Sequence, residues 1–376
     1  MTFFKILFSI IGLLIFVCVL AVTSLIIFVD PNKLKPVIIE EVMQQTGYQL
    51  AIEGKLSWSF YPRMSVKVDR MLLSSPNQPR PFIDARDIKL GAELSQLWST
   101  TGKLQGSVFI SNMRLVNIHA DNINATLHWE NHVLTLQSID ASLYGGTLQG
   151  IVIGHDLSAI PYWQWDMQGS GIEMKQLLQD VNSTDSRINI SGLGQIKLQG
   201  ESRGKDKNSI IEHLNGAGEF SLHHGVVEGI DLNYLVQSAD ALLHKESIAM
   251  PVNSNQTVFD GLTGTWVIKN GITETNNMLL TSSAFTAKAQ GSMVLLSRKL
   301  DFRLQVKPQQ TARTQWEIPV LISGDLKHPS VSVDTMEIQH FFAEQELDKL
   351  KDKAVEQIKK HVSGKASEFL QNLLGG

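Results

Sequence analysis

The chain holds one cysteine in 376 residues, Cys18, and that one sits inside an apolar run. A fold held together by disulfides is therefore excluded. Long apolar runs are scarce as well: there is a single one, the 24 residues from Ile6 to Val29. Basic charge is not in excess. A net charge of −4 and a pI near 6.3 leave no field to attract nucleic acid, which is not expected as a partner. Aromatic residues, at 7%, are few for a carbohydrate-binding surface. Proline is low at 11 against 28 glycines, which suits numerous strands with glycine turns.

Catalytic motifs are missing too. Gly200-Glu201-Ser202-Arg203-Gly204-Lys205-Asp206 looks like a phosphate loop, but its spacing is wrong and Asp stands where Ser or Thr would hold Mg²⁺. Gly192-Leu193-Gly194 reads as a simple turn. His223 and His224, adjacent in one strand, point to opposite faces and do not share a metal. No Gly-x-Ser-x-Gly, His-Glu-x-x-His or cysteine pair occurs. The expectation is no enzyme, no cofactor and no metal site.

What is present begins with the apolar run. At about 1.5 Å per residue, a helix of roughly 20 apolar residues crosses a bilayer. Ile6, Leu13, Phe16, Leu20, Ile27 and Val29 thus belong to an expected membrane anchor, residues 1–29 with a short cytoplasmic stub. The run exceeds the core of a cleaved signal, about 7–15 residues, and its exit at Ala21-Val22-Thr23 is poor for cleavage. The remaining residues then lie on one side of the membrane. A large body there without cysteine suggests a bacterial envelope, and the Asn-x-Ser/Thr triplets at Asn124, Asn182, Asn189 and Asn255 are chance matches.

After the anchor, Asp30-Pro31-Asn32 signals a helix start, and Gly47 stands where a helix would end. Leu34, Val37, Ile38 and Val42 supply the apolar spacing, predicting a short amphipathic helix near the membrane, packed on the first strands or gating lipid. From Tyr48 the period becomes 2. The alternation predicts strands of about 5–7 residues, such as Val66-x-Val68, Ile88-x-Leu90, Val108-x-Ile110, Leu127-x-Trp129 and Leu134-x-Leu136, each closed by Gly, Asn, Asp or Pro. Glu93 to Trp98 reads as a helical turn, and Asn182 to Arg187 and Glu201 to Ser209 as linkers or hairpin tips. An internal echo, Gly171-Ile172-Glu173-Met174 against Gly229-Ile230-Asp231-Leu232, predicts two strand-to-helix transitions and a stacked, one-dimensional architecture. Phe220-x-Leu222 leads to a turn at Gly225, Asn270-Gly271 is a hairpin signal, and Phe302-x-Leu304-x-Val306 and Ile318-x-Val320-x-Ile322 are strands closed by Pro329. Met336 to Leu374 returns to an amphipathic helix that docks on the protein, on a partner or on a membrane surface. From the pattern alone, a β-sandwich, a solenoid and an open groove all remain.

Several of these stretches together resemble the AsmA-like family. They are Asp30-Pro31-Asn32, Thr46-Gly47-Tyr48-Gln49-Leu50, Gly54-Lys55-Leu56-x-Trp58, Leu214-Asn215-Gly216-x-Gly218-x-Phe220, Gly225-Val226-Val227-x-Gly229-Ile230-Asp231-Leu232, Ile318-Pro319-Val320-x-Ile322-x-Gly324 and His328-Pro329-x-Val331. The resemblance implies a mainly β fold: an inner-membrane transmembrane helix, an elongated antiparallel sheet curled into an apolar groove in the periplasm, and a C-terminal amphipathic helix. It divides the chain into 1–29, 30–200, 201–335 and 336–376. Roughly 20–24 strands would give a groove on the order of 100 Å. Phospholipids or other envelope lipids are the implied cargo, held or transferred between membranes in outer-membrane biogenesis. Val108, Ile110, Phe302, Leu304, Val306, Ile318, Val320 and Ile322 are the expected groove lining, with an outer-membrane or periplasmic protein as a further partner. The alternative is a membrane-tethered scaffold that assists outer-membrane protein assembly through the C-terminal helix.

Overall fold

The computed structural model describes residues 30–59, 65–75, 80–92, 103–157, 159–182, 188–244, 255–309, 317–334, 336–338, 340 and 353. Asp30 caps a short 3-10 turn, Pro31–Leu34, by accepting from the Asn32 backbone N–H at 2.9 Å. Helix α1 (Lys35–Thr46) follows and ends at Gly47, whose φ of +72° is left-handed and whose N–H donates to Met43 O. Its apolar stripe differs in part from the sequence expectation: Val37 is 61% exposed and Ile38 is exposed too, whereas Val42, as expected, and Ile39 beside it are half-buried.

Seventeen strands form one sheet. They are β1 (Gln49–Glu53), β2 (Ser57–Ser59), β3 (Ser65–Ser74), β4 (Ile83–Ala92), β5 (Leu104–Leu115), β6 (Ile118–Glu130), β7 (Val133–Leu143), β8 (Gly146–His155) and β9 (Tyr162–Glu173), followed by β10 (Asn189–Arg203), β11 (Asn215–Glu228), β12 (Gln256–Lys269), β13 (Ile272–Thr281), β14 (Phe285–Val294), β15 (Lys299–Pro308), β16 (Ile318–Asp325) and β17 (His328–Val333). β1 and β2 lie end to end along β3, and every later strand pairs antiparallel with the next. Among the described residues β17 does not pair back to β1 or β2, so the sheet is open. At about 4.8 Å per strand it extends for about 70 Å, shorter than the sequence suggested. One ladder runs unbroken through residues 200 and 201, both inside β10. Asn270 and Gly271, both with positive φ, make the tight β12–β13 turn the sequence signalled.

Most strands are 10–15 residues, about twice the expected length, for a specific reason. The Asp, Asn, Ser, His and Gly residues that appeared to close short runs are kinks inside long strands. Asp87, Asn122, Ser138, Gly171 and His224 adopt left-handed φ of 49° to 68° within β4, β6, β7, β9 and β11. Beside Asn122, Ser138, Gly171 and His224 the ladder to one neighbour shifts by a residue, a bulge, whereas at Asp87 the neighbouring strands kink in step and keep their register; in either case the apolar parity flips along the strand. In β4 it passes from Ile83 and Ala85 to Ile88 and Leu90; in β7, from Leu134 and Leu136 to Ile139 and Ala141. Gly192 and Gly225 are likewise inside β10 and β11 rather than at turns, and Pro329 is inside β17. His223 and His224 do not alternate across the strand as expected, because the kink falls on His224; both are exposed. Glu201 to Arg203 finish β10, and helix α3 (Lys207–Glu212) follows, capped by Asp206, so the expected linker is ordered structure.

Register carries one apolar face across the whole sheet. Paired residues in an antiparallel ladder share a face. The chain of partners Val68–Ile88–Ile110–Ile123 in β3 to β6 has its counterpart in Leu222–Leu262–Leu280–Ala287–Val306–Ile318 in β11 to β16. The opposite face is charged. There Arg70 donates to both carboxylate oxygens of Asp84 at 2.9 Å and to Glu53 at 2.9 Å, and Arg86 and Arg114 lie within 3.8 Å of Asp84.

Two predictions follow from this arrangement. Asn122→Val forces a β-branched residue into a left-handed position and should lower unfolding free energy by about 1–3 kcal/mol, whereas Asn122→Gly should leave the urea midpoint near wild type. The Arg70 hydrogen bonds hold the Asp84 carboxyl below its usual range. Its contribution is therefore complete above the unfolded carboxylate value, about 3.9, and is lost as pH falls through the lower folded value. In urea melts, the gap between wild type and Asp84→Asn should be full at neutral pH and shrink in acid below that point.

Candidate functional site: an apolar face roofed on one side

The row of kinks divides the apolar face lengthwise. On one side lie the turns from odd to even strands, where helix α2 (Met174–Asn182) follows β9 and helix α4 (Leu232–His244) follows β11. The internal echo is thus two strand-to-helix exits at the same rim. α4 inserts Leu232, Leu235 and Val236 against a core of Phe259, Phe285, Val306, Ile318 and Val320. Buried Thr257 fixes its entry, donating to Ile230 O at 2.7 Å and accepting from Leu232 N at 3.0 Å. α2 places Met174 and Leu177 against Ala120, Ile123, Ala141 and Ile172. Its far end is tied down by Asp180, which accepts from Tyr144 Oη at 2.5 Å and lies 3.0 Å from His119 Nδ1. Burial and Asp180 push the Tyr144 phenol up to about 12.

On the other side of the kinks the only described helix on the face is short α3 at its rim, where buried Ser202 donates to Ile210 O. Val66, Val108, Leu127, Leu136, Val152, Trp165, Leu198, Phe220, Trp266, Phe302 and Ile322 form a continuous half-exposed row there. The aromatic rings lie close to the sheet because glycines sit opposite them. A Cβ on Gly218 would meet the Trp266 ring at 2.5 Å, and one on Gly200 would meet the Trp165 ring at 2.9 Å. Phe220 stacks on Trp266 with ring centroids 5.6 Å apart. The sheet also bends on itself: Tyr48, leading into β1, donates to Lys205 O beyond β10 at 2.8 Å, although eight strands intervene. The buried side chains Val68, Ile88 and Ile123, which no described helix roofs completely, lie on the apolar face, so that face is the inside of the curl.

The eight expected lining residues all lie on this face, on two different sides of the kinks. Leu304, Val306, Ile318 and Val320 are in the roofed core, three of them with no exposed surface, so they are shielded by protein. Val108 is in the open row, and Ile110, Phe302 and Ile322 are half-buried where that row borders the core. Sequence reading passed over Trp165, Phe220 and Trp266. Their signal was available as aromatics alternating in step with glycines on neighbouring strands. The anchor residues Ile6, Leu13, Phe16, Leu20, Ile27 and Val29, the turn at Glu93–Trp98 and most of the C-terminal helix lie outside the described residues. No described helix is long and apolar enough to cross a membrane.

The polar face has only shallow depressions. One of about 580 Å³ lies among Thr265, Lys269, Glu274, Gln290, Ser292, Asp301 and Arg303, where β12 and β13 bulge. Its charges are mixed and Arg303 already faces Asp334 and Glu337, so it offers no built site for an ion. Among the described residues no cluster of His, Cys, Asp and Glu could hold a metal.

An open meander with one apolar face and an apolar run before it is the pattern the sequence resemblance implied. A profile of the AsmA family matches residues 1–106 and 94–278. The chain belongs to the AsmA family. It is also 30% identical over 87 residues to Protein AsmA of Escherichia coli (strain K12), a match covering 23% of this chain and 14% of that relative. No solved structure matches it. Membership of the AsmA family associates the protein with the cell envelope. Within the AsmA-family sheet, Gly218→Ala should displace the Trp266 ring, costing about 1–3 kcal/mol and changing the near-ultraviolet circular dichroism while the far-ultraviolet signal is kept.

Proposed function

We propose that this protein holds lipid acyl chains against its apolar face and passes them along it, as an inner-membrane-tethered component of outer-membrane biogenesis. The observation that carries this reading is the half-exposed apolar row from β3 to β16, over most of which no described element lies. A soluble domain gains by covering such a surface. Acyl chains lying on it would gain about 0.8 kcal/mol for each CH₂ removed from water. Because the row is continuous, a lipid moves along it without exposing its tails between one station and the next. The roofed half supports this role by keeping a single-layer sheet rigid.

Phospholipids are the substrate class, and other envelope lipids with similar tails fit the same chemistry. The apolar run Ile6–Val29 supports attachment to the inner membrane with the sheet on the periplasmic side. In this reading no bond is made or broken, and neither cofactor nor metal takes part. A protein at the far membrane would complete the path.

The test places a benzophenone amino acid at Phe302, on the open row, or at Gln305, on the polar face, in the full chain in native membranes. Irradiation should attach lipid at position 302 at least about tenfold more than at 305. In parallel, Leu136→Asp with Trp165→Asp should reduce the lipid that co-purifies with the full chain while far-ultraviolet circular dichroism is unchanged. Equal labelling at both positions, or equal lipid on a folded charged variant, rules the reading out.

A further inference from the structure

The open row is apolar except at one place. Among the described residues three buried hydroxyls lack a hydrogen-bond partner: Ser238 on α4, and Thr273 and Thr275 on β13. The two threonines are two residues apart, and the ladder puts both on the apolar face. Thr273 is opposite Ile268 on one side and Met293 on the other; Thr275 is opposite Gly291, which in turn is opposite Phe302. Trp266 lies one pleat along from Ile268, so the pair stands among the rings of the open row.

A buried hydroxyl without a partner destabilises the protein, and valine would fill the same volume without that cost. Both oxygens are closed off from bulk solvent by the side chains around them. An acceptor must then come from whatever occupies the row and moves the half-exposed side chains aside. Hydrocarbon tails carry no acceptor. The ester carbonyls that join tails to glycerol do, and two hydroxyls on alternate residues, about 6.6–7 Å apart along a strand, span two such esters on neighbouring carbons.

We propose that Thr273 and Thr275 donate hydrogen bonds to the ester carbonyls of a bound diacyl glycerolipid, so that this stretch of β13 is a station for the lipid's glycerol backbone. The inference rests on the lipid reading above and adds to it a position and a chemical preference. A lipid held here has its tails along the row towards β12 or β15, and an ether-linked lipid of the same length lacks the acceptors that the site uses.

The experiment offers the full chain vesicles containing equal amounts of a diester phospholipid and its diether analogue, with the same chains and headgroup. Lipids retained by the protein are counted by mass spectrometry. Wild type should be enriched in the diester by about threefold or more, and Thr273→Val with Thr275→Val should bring the ratio to one while retaining as much total lipid. Thr273→Ser with Thr275→Ser should keep the preference. The valine variant should melt in urea no earlier than wild type, since it removes two unpaired hydroxyls. A ratio of one on wild type, or an unchanged ratio on the valine variant, overturns the station and leaves lipid binding standing. Failure of wild type to retain either lipid overturns the lipid reading itself.

Discussion

A single-layer sheet has to keep water from one of its two faces, and everything else in this protein answers to that constraint. A sandwich solves it by laying a second sheet on the first. Here the solution is uneven. Two helices that leave the sheet at the same rim cover one half of the apolar face, and among the described residues the other is sheltered by curvature and by short α3 at its rim. The helices are short, yet each reaches the core because the strand before it ends in a left-handed or strained step that turns the chain inward. Gly171 and Gly229, both with positive φ, are the two residues where that turn is made.

Curvature has its own local cause. Bulges raise the twist of a strand and bend it, and here they recur in β6, β7, β9 and β11, with an in-register kink in β4. Their residue types are those that tolerate left-handed backbone, with Gly171 joined by Asp87, Asn122, Ser138 and His224. The bend brings Tyr48 to the loop after β10. It also crowds the concave side, which explains why large rings there stand opposite glycines: a ring and a hydrogen fill the space that two ordinary side chains would overfill. The outer face has no such restriction and carries the charged residues, with Asp84 surrounded by arginines as its most buried example.

The same economy shapes the edges. β17 ends the sheet with an unpaired side, and Asp334, bonded inward to Pro319 O, sets which of its backbone groups point outward. Pro329 belongs to the outward set, so the edge is missing one donor there, a common way of discouraging further pairing. At the other end α1 lies along β1.

By itself the sequence determined the class: many one-sided antiparallel strands, helix exits at Ile172 and Ile230, the Asn270-Gly271 hairpin, the cap at Asp30 and the absence of recognisable catalytic motifs. These are properties of neighbours in the chain, where side-chain period and φ preference suffice. Strand length escaped it, because a kink and a turn use the same residues, and only the ladder on both sides distinguishes them. So did the division of the apolar face. Phe302 and Val320 both alternate correctly and lie on adjacent strands, yet Phe302 is half-buried at the border of the core and Val320 has no exposed surface within it. Burial depends on which distant segments meet overhead, and the tertiary structure alone decides that.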